Sequence, residues 1–175
     1  MNVILIGFMG AGKTTVGHLL SEKVGQPLLD TDQLITERTN QTPGEIFADI
    51  GEAGFRDLEH TVLEEAIAES GVIATGGGII ELSVNQSLLT EVTVPVIYLS
   101  GSFGQTMERL VKDNSRPIVR NKSLLELAEL WEARLPKYAA IATKTVYTDN
   151  KSANQVAEEI INYVKGIVDG TVKHR

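Results

Sequence analysis

Residues 3–15 read VILIGFMGAGKTT, and this stretch decides the fold. The pattern G-x-x-x-x-G-K-[ST] is matched at Gly7, Gly12, Lys13 and Thr14. Glycines let the backbone turn sharply and bring its N–H groups against a polyphosphate, while the lysine charge and a hydroxyl for Mg²⁺ complete such a loop. Glycine-rich turns also occur without a ligand, but an apolar β-type run precedes this one and the helical pattern TTVGHLLSEKV follows it. This context predicts a nucleoside triphosphate loop between a strand and a helix.

Apolar runs and helical patterns alternate along the rest of the chain. The predicted strands are 3–6, 27–29, 72–74, 94–99 and 145–147. The predicted helices are 13–24, 54–69, 83–89, 104–111, 123–138 and 153–167. This alternation indicates an α/β fold, with a parallel sheet covered by helices on both faces and ligands bound at the carboxyl ends of the strands.

Two segments interrupt the alternation within what we predict to be one domain, residues 1–175. Residues 32–69 form a long, mostly helical insertion. Residues 112–122, KDNSRPIVRNK, are polar, basic and split by a proline. The second segment fits either a solvated surface loop or a mobile lid that closes over the nucleotide.

Composition excludes several classes of protein. The chain has 175 residues, 42% hydrophobic and 22% charged, as in an ordinary globular domain. Its net charge of −7 argues against broad nucleic-acid binding, and the absence of cysteine excludes disulfides and thiolate metal sites. No run approaches the roughly 20 apolar residues that span a bilayer, and no basic start suggests a signal peptide. We therefore expect a cytoplasmic protein without a membrane partner.

Two carboxylates follow the second predicted strand, in LLDTDQL. In an extended chain Asp30 and Asp32 point the same way, so both could face one site, one towards magnesium and one towards a substrate hydroxyl. Alternatively, Asp32 caps the next helix, a role compatible with the first.

Two further motifs predict a substrate site. Arg56 and Glu59 lie on one helix face, either as a surface ion pair worth little or as an arginine oriented to grip a carboxylate. Gly76, Gly77 and Gly78 directly follow an apolar strand. A simple turn needs fewer glycines, so we expect a ligand to approach this backbone closely.

Six motifs, in order, resemble the shikimate kinase family over essentially the whole chain: GFMGAGKTT, DTD, IFADIGEAGFRDLE, GGG, RPIV and RLPKY. The resemblance implies a P-loop kinase fold, with a five-stranded parallel sheet in the order 2-3-1-4-5, flanking helices, a substrate-binding insertion and a mobile lid. It implies phosphorylation of the 3-hydroxyl of shikimate by MgATP, a step towards aromatic amino acids.

The resemblance also assigns residues. The catalytic residues it implies are Lys13, Asp32 and Arg116. Those for ATP are Gly10, Ala11, Gly12, Lys13, Thr14, Thr15, Arg109, Arg116 and Lys151. Those for shikimate are Asp32, Arg56, Gly77, Gly78 and Arg134, with an apolar wall of Met9, Phe47, Phe55 and Pro117. Those for magnesium are Thr14 and Asp30.

The chain departs slightly from the family pattern, and other functions stay open. Isoleucine follows the lid proline where leucine is usual, and Ala153 stands where some members place a proline against adenine. A kinase for another hydroxy acid, such as gluconate, would also need carboxylate-gripping arginines. A nucleotide-binding module acting through a partner would be expected to have lost Lys13, Asp32 or Arg116, and all three are intact. The expected partners are ATP and shikimate, bound by a monomer.

Overall fold

The computed structural model describes residues 1–112 and 122–172. The strands are β1 (Val3–Ile6), β2 (Leu28–Asp30), β3 (Val72–Ala74), β4 (Val96–Ser100) and β5 (Lys144–Tyr147). The helices are α1 (Lys13–Val24), α2 (Thr31–Thr39), α3 (Pro43–Ala68), α4 (Ser83–Glu91), α5 (Phe103–Lys112), α6 (Leu124–Ile141) and α7 (Ala153–Val168). Arg116, Pro117 and nearly all of the predicted lid lie outside the described residues.

The strands form one parallel sheet in the order β2-β3-β1-β4-β5, which confirms the predicted order. β1 is central, and all four of its side chains are fully buried. Val3 and Leu5 pack in the cluster that includes residues of α1 and α7, whereas Ile4 and Ile6 pack on the opposite side with residues of α3, α4 and α6. Helices on both faces explain why the strand reads as a continuous apolar run.

The predicted insertion, residues 32–69, holds most of α2 and all of α3. The prediction did not separate α2, and it began α3 at residue 54 instead of Pro43. Thr42 and Glu45 form a reciprocal capping box at the start of α3. Inside α3, Gly51 has non-helical dihedral angles, φ 72° and ψ 179°, so the helix is kinked there.

β1 and β3 have the predicted bounds, and the bounds of β2, β4 and β5 differ from the predicted ones by one or two residues. β2 extends to Asp30, and β4 begins at Val96 because Pro95 has no N–H to donate to the sheet. In the ranges 1–112 and 122–172, no helix is long and apolar enough to cross a membrane.

Candidate active site

The glycine-rich loop joins β1 to α1 at the carboxyl edge of the sheet. Gly12 caps α1 with φ 94°, a left-handed conformation that favours glycine. No side chain caps this helix end within the described chain, which leaves the N–H groups of its first turn directed at the loop. Lys13 Nζ donates to the carbonyl oxygens of Gly7 at 2.7 Å and Phe8 at 3.0 Å, so its ammonium group is held inside the loop.

Asp30 connects this loop to α2. Its Oδ2 accepts a hydrogen bond from Thr14 Oγ1 at 2.7 Å, and its Oδ1 accepts from the backbone N–H groups of Asp32 and Gln33. The cap of α2 is therefore Asp30, and the alternative that Asp32 caps this helix is wrong. Because Asp32 lies in the first turn of α2, the extended-chain argument for its direction does not hold either.

One cavity nevertheless brings Asp32 to the phosphate loop. It is lined by Gly10, Gly12, Lys13, Thr14, Thr15, Asp32, Thr75, Arg109 and Leu110. Sequence reasoning missed Thr75, whose only signal is a polar side chain at the end of β3. Arg109 donates to the hydroxyl and carbonyl oxygens of Thr148. Lys151 is outside this cavity lining and donates to Glu159 at 2.6 Å.

Side chains of the protein itself pack against the triple-glycine turn. A Cβ added at Gly76 would lie 2.6 Å from Asp32 Oδ1 and 2.8 Å from Glu59 Oε1. A Cβ added at Gly78 would lie 2.6 Å from Cζ of Arg56. We expected a ligand to need this space, but acidic and basic side chains fill it, and the glycines bring these groups together.

Arg56 and Glu59 form a buried ion pair. Arg56 Nη1 donates to Glu59 Oε2 at 2.7 Å, and their side chains are 11% and 1% exposed, so the surface-pair alternative is wrong. Burial raises the pKa of Glu59, although the Arg56 charge and hydrogen bond oppose this, and the nearby Asp32 carboxylate adds to the rise. Arg56 Nε is buried and has no hydrogen-bond partner.

Arg134, on α6, is also a buried arginine that is paired with a glutamate. Its Nε donates to Glu81 Oε1 at 2.5 Å, and its Cζ lies 5.7 Å from the ring centre of Phe8. Its Nη1 is buried without a hydrogen-bond partner. Four residues on, Tyr138 donates its hydroxyl to the Gly77 carbonyl at 2.5 Å, which ties α6 to the triple-glycine turn. Burial raises the pKa of Tyr138, so this hydroxyl stays a donor.

Arg56 Nε and Arg134 Nη1 are the buried side-chain polar atoms without a partner among the described residues. Buried polar groups in proteins are nearly always hydrogen-bonded, and an arginine N–H is best satisfied by an anionic oxygen. Both atoms belong to residues that the resemblance assigns to shikimate, and we call Arg56 and Arg134 together the carboxylate clamp. The arrangement suits a small anionic ligand beside Asp32.

The protein-family model described as Shikimate kinase matches residues 9–165 of this chain. The chain belongs to the shikimate kinase family. A shikimate kinase of Limosilactobacillus fermentum is 43% identical over 94% of this chain and 96% of its own length. The solved structure of shikimate kinase from Acinetobacter baumannii in complex with shikimate has a TM-score of 0.88 and 35% identity, covering 98% of this chain and 95% of that one.

A gluconokinase from Sinorhizobium meliloti shares the fold alone. It has a TM-score of 0.61 and 14% identity, covering 97% of this chain and 94% of that one. Its likeness therefore carries no argument about substrate.

Proposed function

We propose that this chain transfers the terminal phosphoryl group of ATP to the 3-hydroxyl of shikimate, giving ADP and shikimate 3-phosphate. The observation that carries the proposal is the pair of unpartnered arginine nitrogens beside the triple-glycine turn. Shikimate is a ring of hydroxyls with one carboxylate, and two planar arginines can grip a carboxylate with directed hydrogen bonds. Membership in the shikimate kinase family supports this substrate.

The phosphate loop is suited to the ATP side of the reaction. The first-turn N–H groups of α1 and the Lys13 ammonium would bind the phosphates and stabilise charge on the transferred group. Arg109, which lines the same cavity, would lie towards the nucleotide. The ATP-binding roles of Arg116 and Lys151 stay predictions. Arg116 lies outside the described residues, and Lys151 lies outside the cavity lining and pairs with Glu159.

Magnesium fits the residues present. Thr14 Oγ1 and the Asp30 carboxylate, 2.7 Å apart at the edge of the loop, are oxygen donors of the kind that Mg²⁺ prefers. Residues 1–112 and 122–172 contain no cluster of three acidic or histidine side chains arranged for a metal, which suits an ion held largely by phosphates and water. When bound, the ion would neutralise charge on the phosphates.

Asp32 would supply the substrate side of the chemistry. Its carboxylate packs against Gly76, which has no side chain to displace it, and lines the cavity with Lys13 and Thr14. We assign it to orient the attacking hydroxyl and to accept its proton as the new oxygen–phosphorus bond forms and the bond to ADP breaks. Phosphoryl transfer needs mainly this positioning and charge neutralisation from the protein.

A coupled assay of ADP release tests the proposal. With ATP and magnesium fixed, shikimate, gluconate and simple nucleosides are compared as acceptors. We expect saturable turnover with shikimate and none above background with the others, because shikimate is a rigid ring with one carboxylate, whereas gluconate is a flexible chain and a nucleoside has no carboxylate for the arginines. Faster turnover with gluconate would favour the other hydroxy-acid kinase, and nucleotide binding without any acceptor turnover would favour a regulatory module.

We also propose that the chain acts as a monomer in the cytoplasm. The charged groups of the proposed site find their partners within the chain, as Arg56 does with Glu59 and Arg134 with Glu81, which supports the first part. Sedimentation equilibrium at assay concentrations tests it, and a dimer mass would contradict it.

A further inference from the structure

Glu81 lies between two cations just after the triple-glycine turn. Its Oε1 accepts from Arg134 Nε at 2.5 Å, and its Oε2 accepts from Lys137 Nζ at 2.9 Å. Its backbone N–H donates to the Gly78 carbonyl at 2.9 Å, so the turn itself fixes where this side chain starts. Both carboxylate oxygens are therefore occupied, and the group connects the turn to α6.

This contact determines how Arg134 presents its remaining donors. An arginine side chain carries about 2 kcal/mol of rotamer entropy when unrestrained. Glu81 holds Nε, which fixes the plane of the guanidinium group and leaves Nη1 buried without a partner. The contact of Arg134 with the Phe8 ring restrains the same group from another side.

Arg56 shows the same arrangement with a different carboxylate. Glu59 holds Nη1 of Arg56, and Nε is left buried without a partner. Each arginine is thus anchored through one nitrogen by a carboxylate of the chain and keeps another nitrogen for a ligand. Glu59 was predicted from its spacing to Arg56, whereas nothing in the spacing of residues 81 and 134 connects them.

We propose that Glu81 is a positioning residue for the substrate carboxylate, holding Arg134 in its binding orientation before shikimate arrives. The inference rests on the proposed function and deepens it. Fixing the arginine in advance removes an ordering cost that binding would otherwise carry. Lys137 holds the second oxygen of Glu81 and so helps to keep the carboxylate in contact with Arg134.

The charge of Glu81 acts in the opposite direction. Removing a carboxylate beside an anion site makes that site more positive, which by itself would tighten the binding of an anionic substrate. Orientation and charge are separated by two substitutions, because Glu81→Gln removes the charge but keeps an oxygen for Arg134 Nε, whereas Glu81→Ala removes both.

The ionisation of Glu81 agrees with this role. Burial alone would raise its pKa, but the hydrogen bonds from Lys137 and Arg134 outweigh burial and lower it. The group is thus ionised throughout the neutral range and restrains Arg134 there.

The experiment compares wild type, Glu81→Ala and Glu81→Gln, with Glu65→Gln as the matched control. Glu65 pairs with Arg38 on the outer side of α2 and α3, so its substitution also removes a carboxylate bound to an arginine. We expect Glu81→Ala to raise the shikimate KM about three- to tenfold, the range for one side chain ordered on binding. The KM for ATP should stay near wild type. The melting temperature of Glu81→Ala should fall, because Arg134 Nε loses its partner in a buried setting, so both KM values are measured well below it. Glu81→Gln should keep the shikimate KM within about twofold, and Glu65→Gln should match wild type in all constants.

Shikimate methyl ester, which lacks the negative charge, gives a second readout. Glu81→Ala should raise its KM by less than that of shikimate, because the ester keeps an acceptor oxygen but lacks the ionic contact with Arg134. A lower shikimate KM in both Glu81 variants would assign Glu81 to charge balance and overturn the proposal. Equal rises for ATP and shikimate, or an unchanged shikimate KM in Glu81→Ala, would also overturn it. Absence of shikimate turnover in wild type would instead refute the proposed function.

Discussion

Among single residues, Asp30 and Asp32 have different surroundings, although they lie two positions apart in the sequence. Asp30 contacts the Thr14 hydroxyl and caps α2, whereas Asp32 lines the cavity and packs against Gly76. Substrate chemistry should therefore depend on Asp32, and magnesium binding on Asp30.

Asp32→Asn should lower transfer to shikimate by about two to four decades, the range for a positioned base. Slow ATP hydrolysis without shikimate should persist, because the phosphate loop is untouched. Both rates are measured across a magnesium titration, with Asp30→Asn as the comparison. A loss at Asp32 that is shared by both rates and rescued by magnesium would contradict the assignment.

Glu59 makes the clamp sensitive to acid. Its pKa is raised above the ordinary value of 4.5 by burial, so protonation begins at a higher pH than for an exposed glutamate. Because the pKa of Glu59 is higher in the folded state, folding favours its protonated form. The contribution of Glu59 to the free energy of unfolding is therefore fully present below about pH 4.5 and is lost as the pH rises through the raised pKa. Orientation of Arg56 needs the opposite, ionised form.

We therefore expect kcat/KM for shikimate to fall on the acid side at a pH above 4.5. The fall follows from protonation of Glu59, which releases Arg56. Glu59→Gln should show a low kcat/KM without this acid limb, whereas Glu65→Gln should retain the wild-type profile. An acid limb that persists unchanged in Glu59→Gln would assign the titration to another group.

At the level of elements, α3 consists of two helical segments joined at Gly51. The first carries Phe47 and the second carries Phe55, Arg56 and Glu59. The rings of Phe47 and Phe55 stack with centres 4.6 Å apart, so the kink folds the first segment back onto the second. The kink thus determines the position of Phe47, in the predicted apolar wall, relative to Arg56 of the carboxylate clamp.

Gly51→Ala should lower the free energy of unfolding by about 1–3 kcal/mol, because φ 72° with ψ 179° lies in a region almost restricted to glycine. Denaturant titration measures this. The control is Gly104→Ala in α5, where an added Cβ meets nothing within 4 Å. That control should gain roughly 0.5–1 kcal/mol, as alanine replaces glycine in a helix. Equal effects of the two substitutions would show that the kink is not strained for alanine.

The sequence predicts α3 only in part, for physical reasons. Thr42, Pro43 and Glu45 carry the starting signal of the helix, but the glycines that follow it obscure the helical pattern. Gly51 and Gly54 look alike in the sequence, yet only Gly51 has a positive φ. Which of them bends the chain depends on tertiary packing.

For the molecule as a whole, alternation predicts the parallel sheet, and the family resemblance supplies the strand order. Lys13, Asp32 and Arg56 follow from short motifs, because local spacing carries that information. Glu81 does not, since its partner Arg134 lies 53 residues away and meets it only through packing. The sequence predicts that Gly76 and Gly78 leave room for a group close to the backbone. It does not show that side chains of the protein take up this room, because that depends on tertiary packing.

The central place of β1 has a consequence for how the chain is made. β1 precedes the other four strands along the chain, yet its neighbours in the sheet are β3, which pairs Val72 with Val3, and β4, which pairs Ile97 with Leu5. On the ribosome an entirely apolar segment must therefore wait, unpaired, until most of the chain has emerged. Pairing between strands that are far apart in the sequence is slow, and until it occurs the unpaired edges of β1 are prone to aggregation. We therefore expect the chain to be most prone to aggregation during its synthesis, before β3 and β4 can pair with β1.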